Sequence, residues 1–389
     1  MNHIIQTHIY NFMNYKSDGI ILSDLNIDDT TLIFEYMKNI KCTGQYLSLT
    51  CNNLYKLSKN IKYLINLIGL CLDKNKINIL PKEIKYLNLL QDLNISHNQL
   101  TILPKEIRFL HLLIKLDLSH NQLTVIPKEI KHLKLLIKLD LSYNKLTVLP
   151  KEIKYLKRLN HLWLSNNNIK TITKHIKHLT NLFTLNISYN DLIKLPSEIK
   201  YLSLLSVLKI DNNKLIKLPN EIKYLSLNHL NAKFNKLTRL PKIIKLLKTI
   251  SYLDVSYNEI VKLPKEIKYL TTLRYFYIQS NQIKVIPKEI KFIKYLYALN
   301  VSNNYLTTIP KEIKFLKELC ILYVNHNYLT TMPYEIVYLT NLQYLSLYSN
   351  KLKNIKELTY FLMKVKLIKH LEINDNKLIY TILNICKNF

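Results

Sequence analysis

His97 and His120 stand 23 residues apart, and two imidazoles stacked one turn of chain apart are the start of a metal site. Zinc needs three or four N, S or carboxylate donors, and neither a nearby cysteine nor a third ligand at suitable spacing accompanies this pair. His175 and His178 are flanked by Lys174 and Lys177, whose charge repels a cation. The five cysteines (Cys42, Cys51, Cys71, Cys320, Cys386) are odd in number and lack C-x-x-C spacing, which fits reduced thiols in a cytosolic setting. Phosphate-cradling loops need glycine, and the three glycines, Gly19, Gly44 and Gly69, form neither G-x-x-x-x-G-K nor G-x-G-x-x-G. Serine, histidine and aspartate occur without a nucleophile elbow or a pocket-forming insertion. The expectation is no catalytic residue, no metal and no cofactor.

What the residue types do offer is amide chemistry at a fixed interval. Within the pattern L-x-L-x-x-N-x-L, asparagine recurs at Asn52, Asn75, Asn98, Asn121, Asn144, Asn167, Asn190, Asn213, Asn235, Asn258, Asn281, Asn304, Asn327, Asn350 and Asn376. Twelve of the fourteen intervals are 23 residues; one, losing a residue near Ser226, is 22 and the last is 26. All eleven prolines, from Pro81 to Pro333, fall six residues after such an asparagine. A carboxamide both donates and accepts, so a stack of them bridges buried turns in successive units, which neither aspartate nor leucine can do.

The elements that hold this ladder follow from one unit, Leu90 to Leu112. Leu93 and Ile95 alternate with Asp92, Asn94 and Ser96, a short strand with two apolar residues inward and three polar ones outward. Pro104 supplies a fixed φ suited to the first position of a helical segment, and Glu106 stands in that first turn. Ile107 and Leu110 then face inward at helical spacing. Parallel strands need a crossover, so a short helix or 3-10 turn returns the chain on the outer side. A unit of 23 residues cannot bury its own apolar face, so stability comes from stacking. The expected fold is an α/β solenoid of about 15 repeats, a curved horseshoe with parallel strands on the concave face and the turns on the convex face.

The pattern L-x-x-L-x-L-x-x-N-x-L-x-x-L-P-x-E-I resembles the Ras-group class of intracellular leucine-rich-repeat proteins, over roughly Gly44 to Asn388. The Ile-, Lys-, Asn- and Tyr-rich composition also resembles that of leucine-rich-repeat proteins of giant DNA viruses of amoebae. The resemblance implies a non-catalytic scaffold that binds a protein partner, a small GTPase or other signalling protein, in the cytoplasm (of the host cell, if viral). Residues 1–43 are expected to be an N-terminal cap, with a degenerate strand at Ile20 to Leu25 and a helix at Ile27 to Ile40. An F-box-like adaptor is the alternative there. Residues 44–389 form the repeat domain and its C-terminal cap, with a longer helix at Ile355 to Ile368. The repeat at Asn167 has Thr173 for proline and His175 for glutamate, which is expected to loosen its turn. No apolar run reaches signal-peptide or membrane-span length.

Two surfaces are candidates for binding. The formal charge is +29, and lysine or arginine fills the seventh position after asparagine in ten repeats and the tenth in twelve. A row of rings from Tyr63 to Tyr338 occupies the eleventh. These convex columns suit nucleic acid or an acidic membrane; the bland alternative is a solvated face with rings packed between turns. The concave face varies from repeat to repeat, with Asp117 and Asp140 beside Trp163, then Tyr252, Tyr275, Tyr277 and Tyr323. A second row beside the turn holds His97, His120, Tyr143, Tyr189, Phe234, Tyr257 and His326. Exposed aromatics flanked by acids suit a protein hot spot, and this face is the expected partner site.

Overall fold

The computed structural model describes residues 5, 7, 19–39, 45–353 and 369–372. Asn376, the expected helix at Ile355 to Ile368 and the closing segment Leu378 to Phe389 lie outside the described residues. The chain divides into two compact units, Met1–Leu192 with Pro196–Leu205, and Ile193–Leu195 with Ser206–Phe389.

The first unit contains eight strands: β1 (Ile20–Ile21), β2 (Tyr46–Ser48), β3 (Gly69–Cys71), β4 (Asp92–Asn94), β5 (Lys115–Asp117), β6 (Lys138–Asp140), β7 (His161–Trp163) and β8 (Thr184–Asn186). Each pairs in parallel with the next, one repeat on, so that Leu93, Leu116 and Leu139 are partners. The central residue of each strand from β2 on and the apolar residue two positions later point into the core; Leu93, Ile95, Leu116 and Leu118 are at most 1% exposed. The chain returns through seven five-residue 3-10 helices, from Lys59–Tyr63 to Ser197–Tyr201. The return is thus the tighter 3-10 form throughout, as suits runs this short. Helix α1 (Thr31–Asn39) precedes the repeats, opened by Asp29, whose carboxylate accepts from Thr31 N and Oγ1 at 2.9 and 2.7 Å. Both elements before β2 are shorter than the sequence suggests, β1 covering two residues of the expected six.

The second unit repeats this plan in β9 (Val207–Lys209), β10 (His229–Asn231), β11 (Tyr252–Asp254), β12 (Tyr275–Tyr277), β13 (Ala298–Asn300), β14 (Ile321–Tyr323), β15 (Tyr344–Ser346) and β16 (His370–Glu372), with six 3-10 helices from Asn220–Tyr224 to Tyr334–Tyr338. The short repeat loses its residue just after the first of these. Leu225 there takes an extended ψ of 150°, where the corresponding Leu247 has 64°, and the next strand keeps its register.

Inside each unit the asparagines bind backbone on both sides. Asn98 Nδ2 donates to Leu72 O at 2.9 Å, one repeat back, and to Ile95 O and Ser96 O at 3.2 and 2.9 Å. Its Oδ1 accepts from Ile77 N at 2.8 Å. Asn52 does the same for the segment before the repeats, accepting from Leu25 N and Ile27 N at 3.1 and 3.0 Å and donating to Leu22 O at 2.7 Å. The bonds run amide to main chain, so each side chain satisfies groups in two coils that water does not reach.

Three local readings need correction. Proline occupies the N-cap rather than the first helical position, with Pro104 at φ −67° and ψ 149°. The third polar residue of the strand motif is not outward: Ser96, Ser119 and Ser142 are 6–8% exposed. The turn after Asn167 is not loosened, because Thr173 adopts φ −61° and ψ 141° and its hydroxyl accepts from His175 N, capping Lys174–His178.

Candidate functional site

On the first unit's strand face, Asp117, Asp140 and Trp163 are neighbours in register across β5, β6 and β7. Each aspartate spends one oxygen on the backbone, accepting from Ser119 N at 2.9 Å and Ser142 N at 2.8 Å. Burial raises the Asp140 pKa, the Asp117 charge adds to this and the Ser142 bonds oppose it. His161 lies parallel to the Trp163 ring, centroids 5.2 Å apart, and meets Phe183 edge-on at 6.3 Å. Its pKa is lowered, first by burial and then by Lys138, and its Nδ1 is buried without a hydrogen-bond partner among the described residues. Lys115 and Asp92 pair at 3.0 Å beside them.

Tyr143 ends a face-to-face stack with His120 and His97, each step 3.9 Å. Imidazole lone pairs lie in the ring plane, and in rings only 12° from parallel they run alongside each other instead of converging on an ion. No group of three or more metal-binding side chains occurs among the described residues. Tyr189 is 52% exposed and makes none of these ring contacts. Towards the start of the unit, Tyr46 lies so close over Gly69 that a Cβ there would meet its ring at 2.2 Å. The two residues line a groove of about 550 Å³ with Cys71, Asp92 and Asn94.

The second unit gathers its aromatics into one patch. Tyr252 stacks on His229 at 4.1 Å and lies 6.2 Å from Tyr275 and 5.5 Å from Tyr277; Tyr275 in turn lies 5.7 Å from Tyr297. Tyr323 stands two strands beyond Tyr277, with Asn300 between them in register. Tyr257 belongs to the separate row beside the turn, stacked on Phe234 at 4.1 Å. Below the patch Asp254 is buried, accepting from Ser256 N and Oγ at 3.0 and 2.6 Å. Burial, and after it the Asp254 charge, pushes the Tyr252 phenol far above its ordinary range. Burial and then Lys209 lower His229 to about 4, against the opposing charge of Asp211. At neutral pH the Tyr252 phenol and this imidazole are therefore uncharged, and the patch is an aromatic surface edged with hydrogen-bonding groups.

The 3-10 side carries the basic columns. The cation at the tenth position sits over the ring at the eleventh, as with Lys85 over Tyr86 at 5.1 Å, Arg108 over Phe109 at 4.8 Å and Lys268 over Tyr269 at 5.0 Å. These rings are not packed away between turns; Tyr86, Phe109 and Tyr269 are 41–48% exposed. Much of this column's charge thus already faces a ring quadrupole.

Models of a leucine-rich repeat region and of the leucine rich repeat match residues 265–381 and 135–192, and a further Leucine Rich Repeat model matches 89–110 and 112–133. The solved leucine-rich-repeat protein of Leptospira interrogans is 36% identical, with a TM-score of 0.84 over 95% of this chain and 98% of that one. The chain belongs to the leucine-rich repeat family. Two more distant likenesses show the fold alone. The leucine-rich effector YopM of Yersinia pestis has a TM-score of 0.68 at 24% identity, over 96% of this chain and 93% of its own. The plant peptide hormone receptor RGFR1, solved with RGF2, has a TM-score of 0.67 at 24% identity, over 87% of this chain and 64% of that one. No curated protein matches the sequence. Leucine-rich repeat proteins commonly mediate protein–protein interaction and are typically non-catalytic scaffolds. No helix among the described residues is long and apolar enough to cross a membrane.

Within this leucine-rich repeat frame, the sequence motif alone left several site residues unremarked. His161 and His229 occupy the sixth position before the asparagine, the same column as Tyr252 and Tyr275, and Tyr297 lies in the column before it. Reading every strand-face column by its offset from asparagine finds them. The depth of Asp254 has no such signal, since Asp117 and Asp140 in the same column are only half-buried.

Proposed function

We propose that this protein is a scaffold that captures a partner protein through its strand face, with the Tyr252–Tyr275–Tyr277 patch and its neighbours His229 and Tyr297 as the main anchor. The observation that carries this reading is the patch itself: contiguous and half-buried rings on strands that are fixed by a buried hydrogen-bond ladder. Rigid aromatics bury large areas at small entropic cost, which is the make-up of a hot spot. Asp117, Asp140 and Trp163 offer a second anchor of acidic and indole character. Orphaned polar atoms support the same face. His161 Nδ1 and Ser346 Oγ, both in strand-face columns, are among the four side-chain atoms buried without a hydrogen-bond partner among the described residues; the others are Gln279 Oε1 and, on the 3-10 side, Glu83 Oε2. The Ras-group resemblance favours a small GTPase or other signalling protein as the partner, met in the cytoplasm, which is a host cytoplasm if the chain is viral.

The test is direct binding of purified small GTPases and of candidates captured from cells, comparing the parent with the Tyr252→Ala/Tyr277→Ala and Asp140→Ala/Trp163→Ala pairs. At about 2 kcal/mol for a hot-spot residue, each lost anchor ring should weaken binding by roughly 30-fold, and a pair by more. Unchanged binding in both pairs would remove the strand face from consideration.

A second reading, an anionic-surface binder on the 3-10 side, is favoured by one observation. Lysine and arginine number 56 against 27 aspartates and glutamates, so the +29 excess has no acid within the chain to neutralise it. This reading requires nucleic acid or acidic vesicles to bind at low salt and release as salt rises.

A further inference from the structure

In the second unit, Arg239, Lys242, Lys262 and Lys265 line a groove of about 620 Å³ between two successive proline turns, with Glu266 as its one acid. All four cations are exposed, and none has an ion-pair partner among the described residues. The groove therefore carries a net +3, from four cations against one carboxylate. Like charges held together without counter-charges repel one another, and a bound polyanion would relieve that repulsion.

The same place in the first unit shows that this is not simply the repeat pattern. There a groove of about 680 Å³ has Lys56, Lys59 and Lys82 balanced by Asp29, Glu83 and Glu106, a net of zero. The second groove lacks acids in the place of Asp29 and Glu106, and has a cation, Lys262, where the first has Ile79. The two residues at position four after asparagine are Lys56 and Ile79 in the first groove and Arg239 and Lys262 in the second. Position eight is glutamate in ten of the thirteen repeats with a described 3-10 helix, but Ile243 stands there beside Lys242, as the uncharged Asn60 does beside Lys59. Arg239 in place of Lys56 offers a planar guanidinium suited to bidentate phosphate contact, and Ile243 leaves no carboxylate beside Lys242.

We propose that this groove binds a compact polyphosphate, a ligand with two or more phosphate groups on a small carrier. Its volume lies in the range of small-molecule sites, and its four cations come from two adjacent turns, which suits clustered phosphates. The site is independent of the strand-face reading: its variants touch no residue of the aromatic patch, so either proposal can fail alone.

The experiment is calorimetric titration of the full chain, at low and at raised salt, with tripolyphosphate and with inositol hexakisphosphate. Expected is binding that weakens as salt screens it. Arg239→Gln/Lys262→Gln should lower affinity at least about tenfold, each lost charge-assisted bond being worth about that factor. Ile243→Glu, which restores the acid found in most other repeats and so leaves the frame intact, should lower it several-fold. Lys59→Gln/Lys82→Gln in the first unit should leave it unchanged. Vesicles containing phosphatidylinositol bisphosphate distinguish the source of the phosphates. Vesicle binding that inositol hexakisphosphate displaces points to a lipid headgroup, and free polyphosphate binding without vesicle binding points to a soluble ligand. The proposal is overturned if neither polyphosphate binds at low salt. It is equally overturned if the two double variants weaken binding alike, since the affinity would then belong to the lysine columns at large.

Discussion

The two units share a frame and differ at the surface. In both, apolar residues of the strand and the turn are fully buried, and the asparagine amide reaches the main chain of two coils. On the strand face the first unit carries charge, Asp92 with Lys115 and then Asp117 and Asp140, leading to a single indole, whereas the second carries an aromatic patch. On the opposite side the first unit follows Lys56 with Ile79, Ile102, Val125 and Val148, 47–56% exposed, where the second has exposed Lys194, Lys217, Arg239 and Lys262 before Val285. Burial and hydrogen bonding fix about half of each repeat, and the remaining positions face solvent or one another and vary in side chain. Binding chemistry is therefore written where the frame makes no demand.

The comparison breaks first if the frames are not in fact equivalent. Asn121 Nδ2 donates to Ile95 O, Leu118 O and Ser119 O and its Oδ1 accepts from Leu100 N; Asn258 makes the same four bonds to Ala232, Val255, Ser256 and Leu237. Leucine fits the volume but leaves these groups orphaned, so Asn121→Leu and Asn258→Leu should each cost about 3 kcal/mol. Repeat arrays lose all-or-none unfolding when one coil is weakened, so hydrogen exchange at the Leu100 and Leu237 amides is read alongside urea denaturation. A large inequality between the two variants would show that one unit leans on contacts that the other lacks.

Acid sharpens the contrast between the strand faces. His229 is lowered from 6.5 to about 4 by burial and Lys209. Between those values the unfolded chain holds more protons, so this group's contribution is complete above about pH 6.5 and is lost as pH falls towards 4. His229→Gln should remove that dependence, an effect on the order of 1 kcal/mol once solvent screening of the partly exposed ring is allowed for. Asp254, raised by burial, works in the opposite sense: its stabilisation is lost as pH rises through its folded value. Chemical denaturation of parent and variant between pH 4 and 7 isolates the histidine. His161→Gln in the first unit changes the same slope in the same direction, its pKa being lowered by burial and Lys138.

The frame was legible because its signals are periodic: Leu93, Ile95, Asn98, Leu103, Pro104 and Ile107 each recur at a fixed offset and each serves burial or main-chain bonding. The site was legible only in part. Trp163, Tyr252, Tyr275 and Tyr277 stand out as residue types, and the strand columns place them on one face. Which rings touch depends on side-chain rotamers between neighbouring strands, so the His229 stack on Tyr252 and the parallel His161 and Trp163 rings carry no pattern. The groove at Arg239 was hidden for another reason, since it arises from local differences, Lys262 where the first groove has Ile79 and Ile243 where most repeats have glutamate, that a consensus averages away. Least legible was the backbone before each asparagine, because no glycine marks it.

That residue has a left-handed φ in every described repeat, from 49° to 55° between Cys51 and Ser349, a region that costs most side chains about 1 kcal/mol or more. Two of these positions separate backbone cost from ring stacking. Ser280, at φ 53° in the second unit, makes no ring contact, so Ser280→Gly should relieve the cost and, after the greater chain entropy of glycine is subtracted, stabilise by roughly 0.5 kcal/mol. Tyr143, at φ 54° in the first unit, stacks on His120 at 3.9 Å, and an aromatic pair contributes about 0.5–1.5 kcal/mol. Tyr143→Gly should therefore be neutral or destabilising despite the same backbone relief. Thermal unfolding of both variants reads the sign. If both gain equally, the His97–His120–Tyr143 stack contributes nothing to the fold, and those rings are free to serve a partner alone.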